Sequence, residues 1–419
     1  MFPQSAGILV LIAASVMAQE PAEIFDPFSL NDALAVAEQQ NPRLRVAAAQ
    51  RAGAVAGITT ARAYPNPEIS FLGGDQNSRW NRGFPGPVGR LQHYSIAQPI
   101  ELPGLRQARI EAAEFGQTSS EYAFEEAQLA VRWAVTQAFY QVLRRRGEIE
   151  LAEENLRVVE DLRRRIQVQV DSGEAPRLEL TRAEAELATA RTFARSAQLR
   201  LVTALASLRA LVNAPVNREI RPVGSLDPPM ILPALDELRS RVLERHPSMA
   251  QGRAEIRRAE AVLRTERAAR KPQPWLRTEY EIQPDLSFFR AGVTIPLPLL
   301  NKREGPIAEA VAQIHRARAS LDMRRLELSS MLETAYGQYE VANQQVAAFA
   351  DGVLREAEAA LRATEAAYRF GERGIIEVLD AQRVLRSVRL DYLNAQFDRQ
   401  SALIDLEQLR AIDAGQRTP

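Results

Sequence analysis

Hydrophobic residues recur at helical spacing along most of this chain, in stretches that contain few helix breakers. No proline lies between residues 104 and 171, so this stretch alone could form a helix on the order of 100 Å long. Within it, Val135, Val142, Ile149 and Leu156 follow one another at intervals of seven residues. A heptad stripe of this kind packs helices side by side rather than around a compact core. The pattern predicts a mainly α-helical protein of long antiparallel helices.

Four short segments alternate polar and apolar residues, which is the pattern of β-strands with two different faces. Two of them, residues 68–71 and 92–96, lie in the first half of the chain. In the second half the apolar positions of the alternation are Leu276, Thr278, Tyr280, Ile282, Phe289, Ala291, Val293 and Ile295. This alternation is typical of strands with a lipid-facing side and a side that faces a wet lumen.

The segments repeat with a period of roughly two hundred residues, which indicates an internal duplication. Asn41-Pro42 corresponds to His246-Pro247, Pro99 corresponds to Pro296, and Gly173 corresponds to Gly371. The first repeat, residues 19–220, is predicted to contain a helix, a β-hairpin at 67–99 and long helices at 104–171 and 177–212. The second repeat, residues 221–419, is predicted to contain a helix, a β-hairpin at 274–297 and long helices at 303–370 and 375–412.

The first 18 residues have the features of a cleaved signal peptide. Residues 7–14 read GILVLIAA, a short apolar core. Val16 and Ala18 then place small residues at positions −3 and −1 of a cleavage site after Ala18. A buried N-terminal strand is the alternative interpretation. After residue 18 no run approaches the ~20 apolar residues of a transmembrane helix. Any insertion into a membrane is therefore expected to use the strands, as a β-barrel.

Composition excludes several classes of function. The 53 basic and 53 acidic residues balance, whereas a protein that binds nucleic acid needs a basic excess. The absence of cysteine excludes disulfides, thiol catalysis and the lipid anchor of a lipoprotein. The only histidines, His93, His246 and His315, are far apart and predict no metal site. With no nucleotide-binding loop and no nucleophile–base pair either, we expect neither enzymatic activity nor a cofactor.

The number of predicted strands bears on the oligomeric state. Four strands are too few to close a barrel, because known outer-membrane barrels begin at about eight. An open sheet edge cannot lie in lipid, since its backbone groups would lack hydrogen-bond partners. The chain is therefore expected to oligomerise, and a trimer would supply twelve strands above a tube of long helices.

The segment 368–382, YRFGERGIIEVLDAQ, resembles the TolC-type outer-membrane efflux family, and the resemblance extends over residues 29–412. The stretch 98–106, QPIELPGLR, is similar to the heavy-metal efflux branch of that family. The resemblance implies a homotrimer with a 12-stranded β-barrel in the outer membrane and an α-barrel in the periplasm. It further implies a periplasmic adaptor and a proton-driven inner-membrane pump as partners. The chain would then be a passive exit duct for metal cations or small toxic compounds.

The resemblance also implies which residues close the duct. The turn after Gly371 would lie at the periplasmic tip, and Glu377 and Asp380 would point into the pore. These two acids are three residues apart and share a helix face. Three chains would form a ring of six carboxylates that attracts cations. Judged from the residues alone, a solvated helix start that acids favour is the alternative.

A latch beside this gate is implied by Arg373, Tyr368 and Glu179, which match family positions that link the inner hairpin to its neighbours in the closed state. Glu179 would accept a charge-assisted hydrogen bond from Arg373. Leu178 replaces a hydroxyl residue of the family pattern at this place. Gly173 and Gly371 are expected to permit left-handed backbone at the turns.

Two other functions remain open from the sequence. A periplasmic coiled-coil scaffold or adaptor without a channel would explain the long helices and the signal peptide, but not the four alternating strands. A duct for type I protein secretion would share the whole architecture and differ only in its partner pump.

Overall fold

The computed structural model of the chain describes residues 28–76, 87–215, 220–226 and 230–413. The predicted signal peptide, residues 1–18, lies outside the described residues. In the first repeat the helices are α1 (Leu30–Gln40), α2 (Pro42–Arg62), α3 (Pro103–Asp171) and α4 (Arg177–Val212). In the second repeat they are α5 (Leu235–Arg245), α6 (Pro247–Ala269), α7 (Glu304–Ala348), α8 (Leu354–Arg369) and α9 (Ile375–Gln408).

Each repeat begins with a short helix and a longer one, divided by a polar residue that precedes a proline. The Asn41 side chain accepts a hydrogen bond of 2.9 Å from the Arg43 N–H, which caps α2. In the second repeat His246 Nδ1 accepts from the Ser248 N–H at 3.3 Å and caps α6 in the same way. The proline fits the first turn because the donor that it lacks would have no partner within the helix there.

One antiparallel sheet combines strands from both repeats. Its strands are β1 (Glu68–Gln76), β2 (Gly89–Pro99), β3 (Trp275–Ile282) and β4 (Ser287–Thr294), in the order β1-β2-β3-β4. Because β2 pairs with β3, the two predicted hairpins lie side by side and join the two halves of the molecule.

The two faces of the sheet differ as the alternation predicts. The register aligns an exposed aromatic row across all four strands, formed by Phe71, Tyr94, Tyr280 and Phe289. The opposite face is polar, where Ser70 and Ser95 hydroxyls are 2.7 Å apart and Arg290 pairs with Glu279 and Glu281. In the part of the chain that the structure describes, no helix is long and apolar enough to cross a bilayer.

The helices pack along α3, which contacts α2, α4, α6 and α9. Buried side chains form separate clusters rather than one compact core. One cluster joins α1, α3 and α4 around Val135, Phe139 and Leu208, and another joins α5, α7 and α9 around Leu332 and Leu403. Side-by-side packing of this kind is what a heptad stripe produces.

One predicted helix is interrupted. The sequence pattern predicts a continuous helix over residues 303–370, whereas the structure divides this stretch into α7, a π turn (Phe349–Val353) and α8. The sequence has no proline here to mark a break, and a π turn has no residue signature of its own.

Candidate functional site

Two helical hairpins end in turns of the same design. α3 reverses into α4 through Gly173, and α8 reverses into α9 through Gly371, with φ angles of 82° and 73°. The N–H three residues past each helix end donates back over five residues, from Glu174 to the Gln169 carbonyl at 2.8 Å and from Glu372 to the Ala367 carbonyl at 2.9 Å. This is the Schellman arrangement, in which glycine adopts the left-handed conformation without a Cβ penalty.

An apolar cluster holds the two turns at the same end of the molecule. Ile166 of α3 and Ala183 of α4 pack against Ile375, Val378 and Leu379 of α9, and all five are buried. The residues predicted for the gate and the latch therefore lie on two hairpins that contact each other directly.

Tyr368 connects the hairpins by a polar contact. Its hydroxyl lies 2.8 Å from Gln169 Oε1 and 3.4 Å from Glu179 Oε2 and donates to these acceptors. Burial raises the pKa of Tyr368, and the negative charge of Glu179 raises it further. The phenol therefore remains a hydrogen-bond donor at neutral pH. The structure thus brings together two of the three predicted latch residues.

Arg373, the third predicted latch residue, does not join Tyr368 and Glu179. It lies exposed in the turn between Gly371 and Gly374. Among the described residues of this chain, no ion pair or hydrogen bond joins Arg373 to Glu179. The carboxylate of Glu179 faces Tyr368 instead, because both side chains point into the space between the hairpins.

The predicted gate acids begin α9. Glu377 is partly buried, and its Oε2 lies 3.4 Å from the position that a Cβ on Gly374 would take, so its side chain folds back toward the helix start. Asp380 is exposed on the side of α9 away from the apolar cluster. Both acids are thus near the turn, but only Asp380 projects freely from the single chain.

The internal repeat relates Glu179 to Glu377. Each is the third residue of its helix and follows its turn glycine by six positions. Glu179 has a tyrosine partner, whereas Val170, the first-repeat equivalent of Tyr368, offers Glu377 no hydroxyl. Of these two equivalent residues, Glu179 therefore lies between the hairpins, whereas Glu377 folds back toward the start of its helix.

The sequence interpretation missed a buried carboxylate above the turn and its two arginine partners. Glu186 of α4 is 5% exposed, and its Oε2 accepts bonds from Arg383 at 2.7 and 3.0 Å, while Arg386 lies 3.3 Å from Oε1. Glu186 raises the pKa of Arg383, and Asp380 adds a smaller effect. The sequence did contain a signal for this contact, because Glu186 interrupts a stripe of small residues at Ala183, Ala190 and Ala197, all of which are buried.

The described residues contain no group of three or more acidic or histidine side chains arranged to hold a metal ion. Glu179 accepts from Tyr368, Glu186 is paired with arginine, and Asp380 is exposed. As a further example, Arg389 joins Glu154 of α3 at 2.8 Å and Glu358 of α8 at 3.0 Å. The arrangement can orient helices and present charge.

Comparison with known proteins agrees with this architecture. The chain is 28% identical to the cobalt-zinc-cadmium resistance protein CzcC of Cupriavidus metallidurans over 375 residues, which cover 89% of this chain and 87% of that protein. It is 27% identical to the nickel-cobalt-cadmium resistance protein NccC of Alcaligenes xylosoxydans xylosoxydans over 360 residues, 79% of this chain and 74% of that protein.

A solved structure of CusC, described in terms of transmembrane channel formation, matches with a TM-score of 0.78 at 20% identity. The match covers 91% of each chain and supports the predicted fold class of long helices with a small antiparallel sheet. The family model for outer membrane efflux proteins matches residues 33–214 and 238–411, one segment in each repeat. This confirms the resemblance found in the sequence, and the chain belongs to the outer membrane efflux protein family.

Proposed function

We propose that this chain is the outer-membrane exit duct of a tripartite system that expels divalent transition-metal cations. The observation that carries the proposal is the similarity along most of both chains to proteins named for cobalt, zinc, cadmium and nickel resistance. The chain itself is a passive conduit in this proposal, and a periplasmic adaptor and an inner-membrane proton-driven pump supply selection and energy.

The sheet supports assembly into a homotrimer. β1 and β4 are its outer strands, and each has one edge without a strand partner among the described residues. Unpaired edges are unfavourable in lipid because their backbone groups lack hydrogen-bond partners. Three chains around one axis would pair β1 of each with β4 of the next, with the aromatic row on the lipid side. The described helices would then surround a common lumen on the periplasmic side.

The hairpin turns supply the proposed gate. Three copies would bring Glu377 and Asp380 into one ring of six carboxylates near the axis. Such a ring favours cations over anions, which agrees with a metal-cation cargo. Tyr368 and Glu179 hold the α8–α9 hairpin against the α3–α4 hairpin, and we propose that this contact is part of the closed state. Arg373, exposed at the turn, is available in this proposal to a neighbouring chain.

The experiment that tests the function uses a strain that lacks its own exit duct and carries the cognate adaptor and pump. Expression of the chain is expected to restore growth in Co²⁺, Zn²⁺ or Cd²⁺, and crosslinking of the unboiled protein is expected to yield a trimer in the outer-membrane fraction. Unrestored growth despite a correctly localised trimer would contradict the metal cargo. A monomer in the soluble periplasm would contradict the duct itself.

A double variant tests the carboxylate ring. In planar bilayers, Glu377→Gln with Asp380→Asn is expected to reduce the preference for cations, seen as a shift of the reversal potential in a salt gradient toward zero. Glu372→Gln is the matched control, because Glu372 is an exposed acid in the same turn outside the proposed ring. If the double variant keeps the reversal potential of the unmodified channel, Glu377 and Asp380 do not form the selectivity ring.

A further inference from the structure

The loop between β4 and α7, residues 295–303, is longer than its first-repeat equivalent. Pro99 corresponds to Pro296, and at the same spacing the first residue of α3 corresponds to Leu300. α7 begins only at Glu304, four residues later. The second repeat therefore has an additional stretch of irregular backbone where the sheet meets the helices, and we call residues 295–303 the connecting loop.

The connecting loop is held in a defined conformation at its end. Arg303 has a left-handed backbone with a φ angle of 58°, and its N–H donates to Asn301 Oδ1 at 2.9 Å. The Arg303 guanidinium pairs with Glu266 of α6 at 2.5 Å. A residue other than glycine is unfavourable in the left-handed region and persists there where surrounding contacts fix it. These two contacts therefore hold the loop beside the end of α6.

The connecting loop exposes large apolar side chains. On the aromatic face of the sheet Val293 is exposed near the end of β4, and the alternation continues past the strand through Ile295, Leu297 and Leu299. Leu297 is 66% exposed, and Leu300 is fully exposed. This apolar row therefore extends the aromatic face of the sheet toward the helices, beyond the last residue of β4.

Assembly with a neighbouring chain is not expected to cover this row. Within the chain, the second repeat lies beside the first as the next chain would lie beside the second. Ile100, the equivalent of Leu297, donates its N–H to the Pro274 carbonyl at 2.8 Å and yet remains 43% exposed. Pro103, the equivalent of Leu300, is also exposed. We therefore expect Leu297 and Leu300 to stay at the surface of a trimer.

Positive charge accompanies the apolar row. Lys271 follows the end of α6 by two residues, Lys302 precedes α7 by two, and they are the only lysines of the chain. Both are exposed, as is Arg270. Among the exposed acids at this end, Glu304 adjoins the loop, whereas Glu68 lies on the polar face of the sheet with Ser70. A lysine ammonium on its flexible stem can reach a phosphate while the stem stays against apolar groups.

We propose that the connecting loop and the two lysines form a binding surface for anionic phospholipids. The apolar row contacts the acyl chains, and the ammonium groups of Lys271 and Lys302 contact the phosphate groups. The location of this lipid, in the leaflet on the periplasmic side, rests on the proposed function. The surface occurs once in each chain and would encircle the trimer where the barrel meets the helices.

Native mass spectrometry of the delipidated trimer in neutral detergent measures this binding. Phosphatidylglycerol is expected to bind about tenfold more tightly than phosphatidylcholine, because each lysine near the surface is attracted to an anionic headgroup. Lys271→Gln with Lys302→Gln is expected to remove this preference and to leave the affinity for phosphatidylcholine unchanged. Displacement of phosphatidylglycerol by an equal concentration of inorganic phosphate would indicate a simple anion site and refute a lipid surface.

A second variant tests the apolar row. Leu297→Ser with Leu300→Ser is expected to weaken the binding of both lipids by a similar factor, because contacts with acyl chains do not depend on the headgroup. Unchanged affinity for both lipids in this variant would show that the connecting loop does not contact acyl chains.

The matched control is Arg182→Gln with Arg195→Gln, which removes two exposed positive charges of α4 near the hairpin turns. This control is expected to keep the preference for phosphatidylglycerol. The proposal would be overturned by equal affinities of the unmodified trimer for the two lipids, or by an equal loss in the lysine and arginine variants. The readout does not involve transport, so a trimer that prefers phosphatidylglycerol and restores no metal resistance would contradict the proposed cargo alone.

Discussion

At the scale of single residues, His246 shows how one side chain makes a helix cap depend on pH. It caps α6 through Nδ1 and is 7% exposed. Burial, together with a smaller contribution from the charge of Arg410, lowers the pKa of His246 from 6.5 to about 4. A neutral ring can accept the bond from the Ser248 N–H, whereas a protonated ring cannot.

The pKa of His246 predicts acid sensitivity. Because the folded pKa lies below the unfolded one, the unfolded chain binds the proton more readily, and stability is lost as pH falls from 6.5 to 4. The loss attributable to this group is at most ~3 kcal/mol per chain. His246→Asn, which introduces the cap of the first repeat, is expected to remove this part of the pH dependence of the melting temperature. His315→Asn, at an exposed histidine, is the control, and equal pH profiles for the two variants would contradict the prediction.

Tyr368 joins the two hairpins by a hydrogen bond close to their turns. Tyr368→Phe keeps the ring in its apolar surroundings and leaves Gln169 and Glu179 without their donor, which costs about 1 kcal/mol. We expect more frequent or larger openings in single-channel recordings. Tyr122→Phe is the control, since the Tyr122 hydroxyl has no hydrogen-bond partner among the described residues. Recordings of Tyr368→Phe that match the control would exclude a role for this contact in closure.

At the scale of elements, the sheet has an aromatic face and a polar face, and neighbouring residues of one strand lie on opposite faces. Phe289 is 67% exposed and belongs to the aromatic row, whereas its neighbour Phe288 lies on the polar face beside Arg290. In the proposed duct this row is the lipid-facing surface, because aromatic side chains exposed in register suit a bilayer.

A charge on that face is expected to impair membrane assembly. Phe289→Arg places a guanidinium against lipid, at a cost of ~2–4 kcal/mol per chain if the position is near the bilayer midplane. The amount of oligomer that is recovered from the outer-membrane fraction without boiling should decrease. Phe288→Arg, the same substitution one residue earlier, should assemble almost normally, because its side chain is on the polar face. Equal assembly of the two variants would show that the aromatic row does not face lipid.

At the scale of the whole molecule, the two repeats are joined by different means at different levels. Backbone pairing of β2 with β3 joins them in the sheet, and the buried Glu186 with Arg383 joins α4 to α9 near the turns. Glu186 is buried and has a second partner in Arg386, whereas the Arg383 side chain is 55% exposed. The buried carboxylate would therefore be left uncompensated only if both arginines were lost. The guanidinium fork suits this task better than an ammonium group, and the chain has only two lysines, Lys271 and Lys302.

The sequence by itself determined the helical class, the alternation of the strands and the duplication, because each depends on local periodicity or on self-similarity. Heptads, period-two alternation and glycines before repeated motifs are visible without knowledge of any distant contact. The positions of Gly173 and Gly371 at hairpin turns follow from the same local information, since a left-handed residue is required where a helix reverses.

Only the tertiary structure decided which polar and charged side chains contact one another. It paired Tyr368 with Gln169 and Glu179, left Arg373 exposed, and buried Glu186 between two arginines. These partners are about two hundred positions apart in the sequence, so no local pattern relates them. The π turn likewise needed the structure. The repeat spacing grows from 197 between Pro99 and Pro296 to 198 between Gly173 and Gly371, but the sequence does not say where the additional residue lies.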